Sequence, residues 1–368
     1  MNSKITIISS EKNWLEHTAL NQLNRIAEFE GMRKVIGLPD LHPGKVPVGA
    51  VFITEDVIYP HIVSNDIGCG MSLFVTNIEK RKMKTDKWLA KLENLDSFRS
   101  IHIPEENFKG MENMPFLSEL GTIGGGNHFA ELQEIDEIFD REIFESHSLS
   151  KDRLLLLIHS GSRVYGHEIL DKYIRKHSAQ NGLDVKSDAA LSYLEEHDSA
   201  ILWSKKNREL IAYRFLSILG ADTNAQKLID STHNSIEIKK IGSKNFFIHR
   251  KGAAPANSGI GVIPGSRGTL TYLVMPCEDT SKSGYSMAHG AGRKWERSIC
   301  KARLIKLYTK DSIKTTKIKS RVICHDKDLL YEEAPEAYKN IERVIEALVE
   351  AKIIKVVATL KPILTYKN

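Results

Sequence analysis

Side chains that bind metal ions and phosphate groups recur in short glycine-rich segments of this chain. Asp66 and Cys69 stand three residues apart, and His128, His159 and His233 each lie in a later segment. A carboxylate, a thiolate and several imidazoles suffice to bind two adjacent divalent ions. Glycines beside these side chains let the backbone approach a ligand closely, and neighbouring arginines and lysines suit phosphate oxygens. The pattern indicates a site that combines divalent ions with phosphate groups.

Each of these features has a simpler structural interpretation when it is taken alone. A single histidine in a glycine-rich loop is more often a hydrogen-bonding residue than a metal ligand. Asp66 and Cys69 could be a turn-capping aspartate and a small buried cysteine. Gly124–Gly126 could be a mobile loop or a phosphate-binding loop. The joint occurrence of these segments in one chain favours the functional interpretation.

The composition narrows the class of protein without selecting a function. A net charge of +5 and a pI of about 8.8 permit nucleic-acid binding but do not establish it. The densest basic run, Lys314–Arg321, is either a solvated loop or a phosphate-contacting one. No stretch approaches the roughly 18 apolar residues that span a bilayer. The four cysteines are widely spaced and form no CxxC pair, which is typical of a reducing compartment. We therefore expect a cytoplasmic protein with no membrane partner.

Three helices are expected from apolar residues that recur at helical spacing. The first covers about residues 11–30, where Ser10 could cap the first turn and Gly31 could end the helix. The second covers about residues 189–219. The third lies near the C-terminus, where Pro335 suits a first helical turn.

Short apolar runs between these helices are typical of buried strands. The clearest are Val48–Thr54, Leu154–Ile158 and Phe246–Ile248, and the last two lead directly into His159 and His249. Side chains at strand ends commonly face a site, because the sheet positions them rigidly. The mixture predicts an α+β fold with central β-sheets surrounded by helices. Since nothing marks a domain boundary, we expect one domain over residues 1–368.

Seven segments resemble a known family in wording and in order. They read DIGCGM, GTIGGGNHFAE, HSGSR, HRKGA, IPGSRGT, HGAGR and EAPEAYK. Together they resemble the RtcB family of RNA ligases, over nearly the whole chain from about Gly37 to Lys367. So many motifs in one order are far more specific than any single loop pattern. The resemblance implies an RtcB-like domain, two Mn²⁺ ions and GTP as cofactors, and an RNA substrate.

By this resemblance, Cys69 would bridge the two manganese ions. Asp66 and His128 would complete the ligands of one ion, and His159 and His233 those of the other. A thiolate and a carboxylate offset the charge of the ions, and neutral imidazoles supply nitrogen ligands.

The resemblance also assigns a nucleophile and contacts to nucleotide and RNA. His289 would attack the α-phosphate of GTP and carry GMP, with a second residue, not identified by the sequence, holding the proton on its other ring nitrogen. The remaining expectations are Glu131, Lys367, Tyr338, Ser266 and Thr271 for guanosine, Asn127 and Arg293 for phosphates or ribose, Arg163 and Lys251 for the RNA phosphate, and Asp40 near the metals.

The implied activity joins RNA ending in a 2′,3′-cyclic phosphate or 3′-phosphate to a 5′-hydroxyl end, in RNA repair or tRNA splicing. Two other classes stay open: a two-metal phosphoesterase acting on RNA ends, which would not need His289, and a non-enzymatic RNA-binding subunit.

The chain also departs from the family motifs at three positions. Pro255 stands where a second arginine is expected, Arg267 where methionine is common, and Ala288 precedes His289 in place of serine or cysteine.

Overall fold

The chain folds around two large β-sheets with nine α-helices among the described residues. The computed structural model describes residues 2–94, 98–111, 113–257, 259–309 and 311–367. The helices are α1 (His17–Ala27), α2 (Pro60–Val63), α3 (Thr85–Glu93), α4 (Arg141–Ser146), α5 (Val164–His177), α6 (Asp188–Leu219), α7 (Arg297–Leu304), α8 (Lys327–Glu332) and α9 (Ile341–Glu350). This mixture of helix and sheet confirms the predicted α+β class.

The strands fall into two large and two small sheets. They are β1 (Ile5–Ile7), β2 (Met32–His42), β3 (Val48–Thr54), β4 (Val57–Ile58), β5 (Gly70–Glu79), β6 (Phe129–Ile138), β7 (Arg153–Ser160), β8 (Leu183–Asp184), β9 (Gln226–Thr232), β10 (Asn234–Ile241), β11 (Lys244–Lys251), β12 (Ala253–Pro255), β13 (Gly261–Pro264), β14 (Thr271–Pro276), β15 (Ser286–Ala288), β16 (Arg321–Cys324) and β17 (Ile354–Lys367). The five-stranded sheet has the order β1-β2-β3-β11-β10. The eight-stranded sheet has the order β13-β14-β17-β6-β7-β5-β9, with β16 parallel to β17. The small sheets pair β12 with β15 and β4 with β8.

The predicted strands form where the apolar runs lie. Val48–Thr54 is β3 itself, Leu154–Ile158 lies within β7, and Phe246–Ile248 lies within β11. Every residue of Leu154–Ile158 is buried, because β7 is flanked by β6 and β5 and covered by helix α6. A central strand covered in this way gains stability from apolar side chains on both faces.

Helix boundaries agree less well with the sequence. The first helix begins at His17, later than predicted, because the chain first makes a turn in which the Asn13 N–H donates to the Ser10 carbonyl. The second prediction is confirmed by α6. Near the C-terminus, Pro335 lies in a short 3₁₀ turn. Helix α9 begins only at Ile341, where the side chain of Asn340 caps it.

One apolar cluster, which we call the seam, joins the two large sheets. It combines residues of the five-stranded sheet (Ile36, Leu38, Val51, Ile53, Ile248), residues of the eight-stranded sheet (Ile263, Tyr272, Val274, Ile354), and residues of the β12–β15 pair and of α9. Since this cluster is buried between both sheets, their relative position depends on how its side chains pack. Within the described residues, no helix is both long and apolar enough to cross a membrane.

Candidate metal and nucleotide site

Five side chains of the types that hold metal ions form two overlapping groups. The Cys69 Sγ lies 3.4 Å from the His128 Nε2 and 3.2 Å from the His159 Nε2. The Asp66 Oδ2 lies 3.1 Å from the His128 Nε2, and the Nε2 atoms of His159 and His233 are 3.3 Å apart. The two groups are Asp66–Cys69–His128 and Cys69–His159–His233, each with ligand atoms within 4.8 Å of one another. Cys69 belongs to both groups, as a bridging ligand would.

The strand order of the eight-stranded sheet brings these residues together. His159 lies in β7, and its pairing partners are Phe129 at the start of β6 and Met71 near the start of β5. His128 immediately precedes β6. Residues 66–69 immediately precede β5. His233 follows β9, whose last residue pairs with Gly70. All five ligands therefore lie at one end of four neighbouring strands, although they are far apart in sequence.

Two polar residues of α6 fix the loops that carry the ligands. Arg208 is fully buried and donates to the carbonyls of Gly68 and Ser160, both at 2.9 Å, and to Asp230. Asn207 accepts from the N–H groups of residues 121 and 122 and donates to the Ser160 Oγ. The sequence analysis missed both residues. Their only signal is two polar side chains within a largely apolar stretch of a long helix.

A glycine is required where the HSGSR segment crosses the Asp66 turn. A Cβ on Gly161 would lie 2.1 Å from the Asp66 Oδ1. Any side chain at this position would therefore displace the carboxylate from the metal cluster.

Burial sets the protonation state of the cluster. Desolvation lowers the pKa of His159 and of His233 well below the ordinary value, so both imidazoles are neutral and keep a lone pair. Desolvation and the charge of Asp66 raise the pKa of the Cys69 thiol. Burial alone would raise the pKa of Asp66, but His128 beside it holds that pKa below its usual range. This donor set suits divalent metals. It consists of neutral imidazoles, a carboxylate, and a thiol that becomes a thiolate and releases its proton when a cation binds.

His289 lies beside the metal ligands, and a buried carboxylate orients its ring. The His289 Nδ1 is 2.7 Å from the Asp40 Oδ2, and the backbone N–H of His289 also points to that oxygen at 3.3 Å. Because a carboxylate only accepts, Nδ1 carries the proton of the neutral imidazole, and in that form the lone pair is on Nε2. The His289 ring centroid is 4.8 Å from that of His233. Asp40 is therefore the hydrogen-bond acceptor for the second ring nitrogen of His289, a residue that the sequence analysis left unidentified.

The segment around Asp40 is itself held by two residues that the sequence analysis missed. The Lys339 Nζ donates to the Leu41 carbonyl at 2.5 Å, and burial lowers the pKa of Lys339 to about 8. The His42 Nδ1 donates to the Asp40 carbonyl at 2.8 Å. A Cβ on Gly292 would lie 2.2 Å from the same carbonyl oxygen, so the HGAGR segment packs directly on the backbone of Asp40.

A cleft of about 290 Å³ opens over the candidate ligands and His289 and is lined also by Lys251, Asn127 and Arg293. A smaller cavity of about 40 Å³ shares some of its lining with this cleft. We call it the base pocket. Its lining residues are Asn127, Phe129, Glu131, Pro264, Gly265, Ser266, Arg267, Glu333, Tyr338, Thr365 and Lys367. Most of the residues expected to contact guanosine therefore surround one cavity.

The Glu131 carboxylate is the acidic end of the base pocket. Its oxygens accept from the Thr365 hydroxyl at 2.5 Å and from the Gln133 amide at 2.6 Å. Burial raises the pKa of Glu131 to about 7. Thr271 does not line the pocket: its hydroxyl accepts from Gln133 at 2.9 Å, behind Glu131. The structure thus places Thr271 as a support for the group that would contact the base.

Glu333 links the basic residues of the base pocket. This buried carboxylate accepts from Arg293 at 3.1 Å, from the Tyr338 hydroxyl at 2.5 Å and from Lys367 at 3.5 Å. Burial opposes its ionisation, but Lys367, Arg297 and Arg293 hold the pKa of Glu333 at about 2. Sequence reasoning did not single out Glu333, although it is the first residue of the EAPEAYK segment.

The two residues expected to contact RNA phosphate both lie close enough to Asp66 for its charge to act on them. The Lys251 Nζ donates to the Val63 carbonyl at 3.0 Å. The Arg163 guanidinium packs on Gly124, where a Cβ would come within 1.6 Å of it, and its Nε has no hydrogen-bond partner in the described part of the chain. His249, by contrast, lies outside the site. It accepts from the Tyr59 N–H at 2.9 Å and is a buried structural residue of β11.

Comparison with known proteins identifies the class to which this fold and site belong. The family described as "tRNA-splicing ligase RtcB" matches residues 22–98 and 103–368. The chain belongs to the RtcB family and is an RNA ligase. It is 44% identical over 370 residues to "RNA-splicing ligase RtcB2" of Escherichia coli, covering 100% of this chain and 97% of that protein. It is 28% identical over 440 residues to "tRNA-splicing ligase RtcB" of Methanococcus maripaludis, covering 95% of this chain and 91% of that protein.

Proposed function

We propose that this protein is a GTP- and Mn²⁺-dependent ligase that joins RNA 3′-phosphate or 2′,3′-cyclic phosphate ends to 5′-hydroxyl ends through a histidine–GMP intermediate. The observation that carries the proposal is the pair His289–Asp40 beside the double metal cluster. Its cellular role would be RNA repair or tRNA splicing, in the cytoplasm.

The donor set fits two divalent ions. Asp66, Cys69 and His128 would hold one ion, and Cys69, His159 and His233 the other. Bound there, the ions would offset the negative charge of the phosphate groups during transfer. Thiolate and imidazole ligands intrinsically favour zinc, so manganese would be selected by geometry and availability.

The first step would transfer GMP to His289. The Nε2 lone pair forms a bond to the α-phosphorus of GTP, and the bond to the bridging oxygen breaks to release pyrophosphate. Asp40 holds the proton on Nδ1 and stabilises the positive charge that develops on the ring. Asp40 is fully buried, so water does not compete for the Nδ1 proton.

The next steps would activate and seal the RNA. Water first opens a cyclic end to the 3′-phosphate. An oxygen of that phosphate attacks the GMP phosphorus, and the bond to His289 breaks. The 5′-hydroxyl of the second strand then attacks the activated 3′-phosphate and releases GMP. Arg163 and Lys251 both lie within reach of the charge of Asp66, and they would hold the terminal phosphate.

Glu131 supports the choice of guanine. A carboxylate accepts from the guanine N1–H and exocyclic amine, whereas adenine offers no such pair of donors on that edge. Since adenine would place no donor against the remaining acceptor positions of this buried carboxylate, GTP should be preferred to ATP by about 10²-fold or more.

The test is incubation with GTP labelled at the α-phosphate and with manganese, followed by denaturing electrophoresis. We expect label on the wild-type protein and on His325→Ala, a control at an exposed histidine, but none on His289→Ala. The adduct should be labile in acid, as phosphoramidates are. His289→Ala should still join RNA whose 3′ end already carries guanylate, because only the first step needs the nucleophile. A labelled His289→Ala protein would refute the assignment. Absence of label on the wild type would favour a phosphoesterase, which has no use for the His289–Asp40 pair.

A further inference from the structure

One buried arginine of the base pocket has donors that nothing in the protein uses. Arg267 lies between β13 and β14 and is only 6% exposed. Its NH2 group donates to the carbonyls of Ile313 at 3.2 Å and Leu330 at 2.9 Å. Its Nε and NH1 groups have no hydrogen-bond partner within the described residues, and no carboxylate there forms an ion pair with it. Three N–H groups of a buried cation therefore lack an acceptor.

Unpaired donors on a buried charged group are rare, because the lost hydration is not replaced. The NH2 contacts explain why the side chain is held in place, since they tie Arg267 to the turn at Ile313 and to the end of α8. They do not explain the unused donors. Arg267 lines the base pocket together with Glu131, and it also lines a second cavity together with Glu336. A molecule that enters the base pocket would supply the missing acceptor.

The lining of the pocket indicates what the acceptor is. Phe129 and Tyr338 supply aromatic rings that suit a planar base. Glu131 is a hydrogen-bond acceptor at the same cavity, and Arg267 lies close enough for its charge to act on that carboxylate. A phosphate group would be repelled by Glu131 when this residue is ionised. A neutral ring with donors on one edge and acceptors on the next satisfies both residues.

We propose that Arg267 donates to the O6/N7 edge of the guanine whose N1–H and amine contact Glu131. On guanine the acceptor O6 directly follows N1, and N7 follows O6, so a donor beside Glu131 meets this edge. Adenine carries an amine in place of O6 and would oppose the guanidinium. The inference rests on the proposed guanosine site and adds a second residue that discriminates guanine from adenine, at a position where methionine is common in the family.

The test is equilibrium binding, which does not depend on catalysis. Affinities for GMP, 7-deaza-GMP and 6-thio-GMP are measured by calorimetry on the wild type, Arg267→Met and Arg267→Lys. The first analogue lacks the N7 acceptor, and the second replaces O6 by the weaker acceptor sulfur. We expect at least one analogue to bind the wild type about five-fold more weakly than GMP, and Arg267→Met to bind GMP about ten-fold more weakly. In Arg267→Met, that analogue should bind as tightly as GMP does. In Arg267→Lys, it should still bind somewhat more weakly than GMP.

The affinity for an analogue is divided by the affinity for GMP in the same variant. This ratio removes the effect of any general destabilisation of α8. Equal binding of all three nucleotides by the wild type would overturn the proposal, even if neither variant folds. A penalty of the same size in Arg267→Met would overturn it too. These outcomes differ from failure of the proposed function, in which the wild type would bind no GMP and form no covalent GMP adduct.

Discussion

The substitution Asp40→Asn tests the orientation of the nucleophile with little change in shape. Asparagine is nearly isosteric with aspartate, so the backbone around Leu41 and Gly292 should keep its packing. The change replaces the acceptor at 2.7 Å from the His289 Nδ1 by a group that can also donate. If the amide donates to Nδ1, the ring proton moves to Nε2, and the attacking nitrogen loses its lone pair.

The expected effect is large because Asp40 is fully buried and nothing else holds the ring. His289 has no hydrogen-bond partner other than Asp40 among the described residues. In a catalytic triad, the same exchange of aspartate for asparagine gives the wrong tautomer and lowers the rate about 10⁴-fold. We expect GMP transfer to His289 to slow by about 10³- to 10⁴-fold, which corresponds to about 4 to 5.5 kcal/mol of barrier.

The assay is single-turnover formation of the protein–GMP adduct, measured alongside ligation of RNA that already carries guanylate at its 3′ end. The first rate should fall as stated, and the second should change far less. Thermal unfolding and metal content report whether Asp40→Asn is folded and binds its ions. Adduct formation by a folded Asp40→Asn protein within three-fold of the wild-type rate would refute the reasoning. An equal loss in both assays would show that Asp40 organises the site generally and does not act through His289.

Three further predictions concern the metal cluster, the base pocket and α6. Cys69→Ala should abolish manganese-dependent ligation and metal binding at both positions while the protein stays folded. Metal analysis measures the binding, and circular dichroism measures the folding. Ligation near the wild-type rate would exclude a bridging thiolate. Burial raises the pKa of Glu131 to about 7, so its carboxylate is protonated below that pH, and GMP affinity should fall about ten-fold per pH unit there. The variant Glu131→Gln should lose this dependence of GMP affinity on pH. An unchanged pH dependence in the variant would reject the assignment. Arg208→Met should lower the free energy of unfolding by about 3 to 5 kcal/mol, because it removes the donors to two carbonyls and leaves Asp230 with only Lys227 at 3.8 Å. Denaturant unfolding should show a much smaller change for the exposed Arg141→Met, and equal effects would contradict the structure.

The candidate metal ligands could be predicted from sequence because few types of side chain bind divalent ions and because glycines stand next to them in the chain. Asp66, Cys69, His128, His159 and His233 meet as the family resemblance implied. Their assignment to bound ions stays a prediction. The inference depended on the joint occurrence of these segments in one chain. A histidine at the end of an apolar strand is not enough by itself, because His249 is such a residue and is purely structural.

Residues that act through other residues could not be found in this way. Arg208 and Asn207 occupy ordinary helical positions, and only the packing of α6 against the eight-stranded sheet reveals that they hold the ligand loops. The link between Asp40 and His289 spans 249 positions, so local sequence contains no trace of it. Thr271 matched a family position, yet its placement behind Gln133 depends on the register between strands, which a single sequence does not specify.

The seam between the two sheets has a consequence for how such an enzyme can change during evolution. Asp40, which orients His289, belongs to the five-stranded sheet, whereas the candidate metal ligands lie in or next to strands of the eight-stranded sheet. No hydrogen bond joins His289 to a candidate ligand within the described ranges. Their spacing therefore depends on the packing of the seam and on the hydrogen bonds between Asn234 of β10 and the loop of Asp66 and Gly68. A displacement of about 1 Å between reacting groups can cost a hundred-fold in rate. We therefore expect substitutions at apolar positions such as Ile263 and Val274 to be limited by reaction geometry as well as by folding.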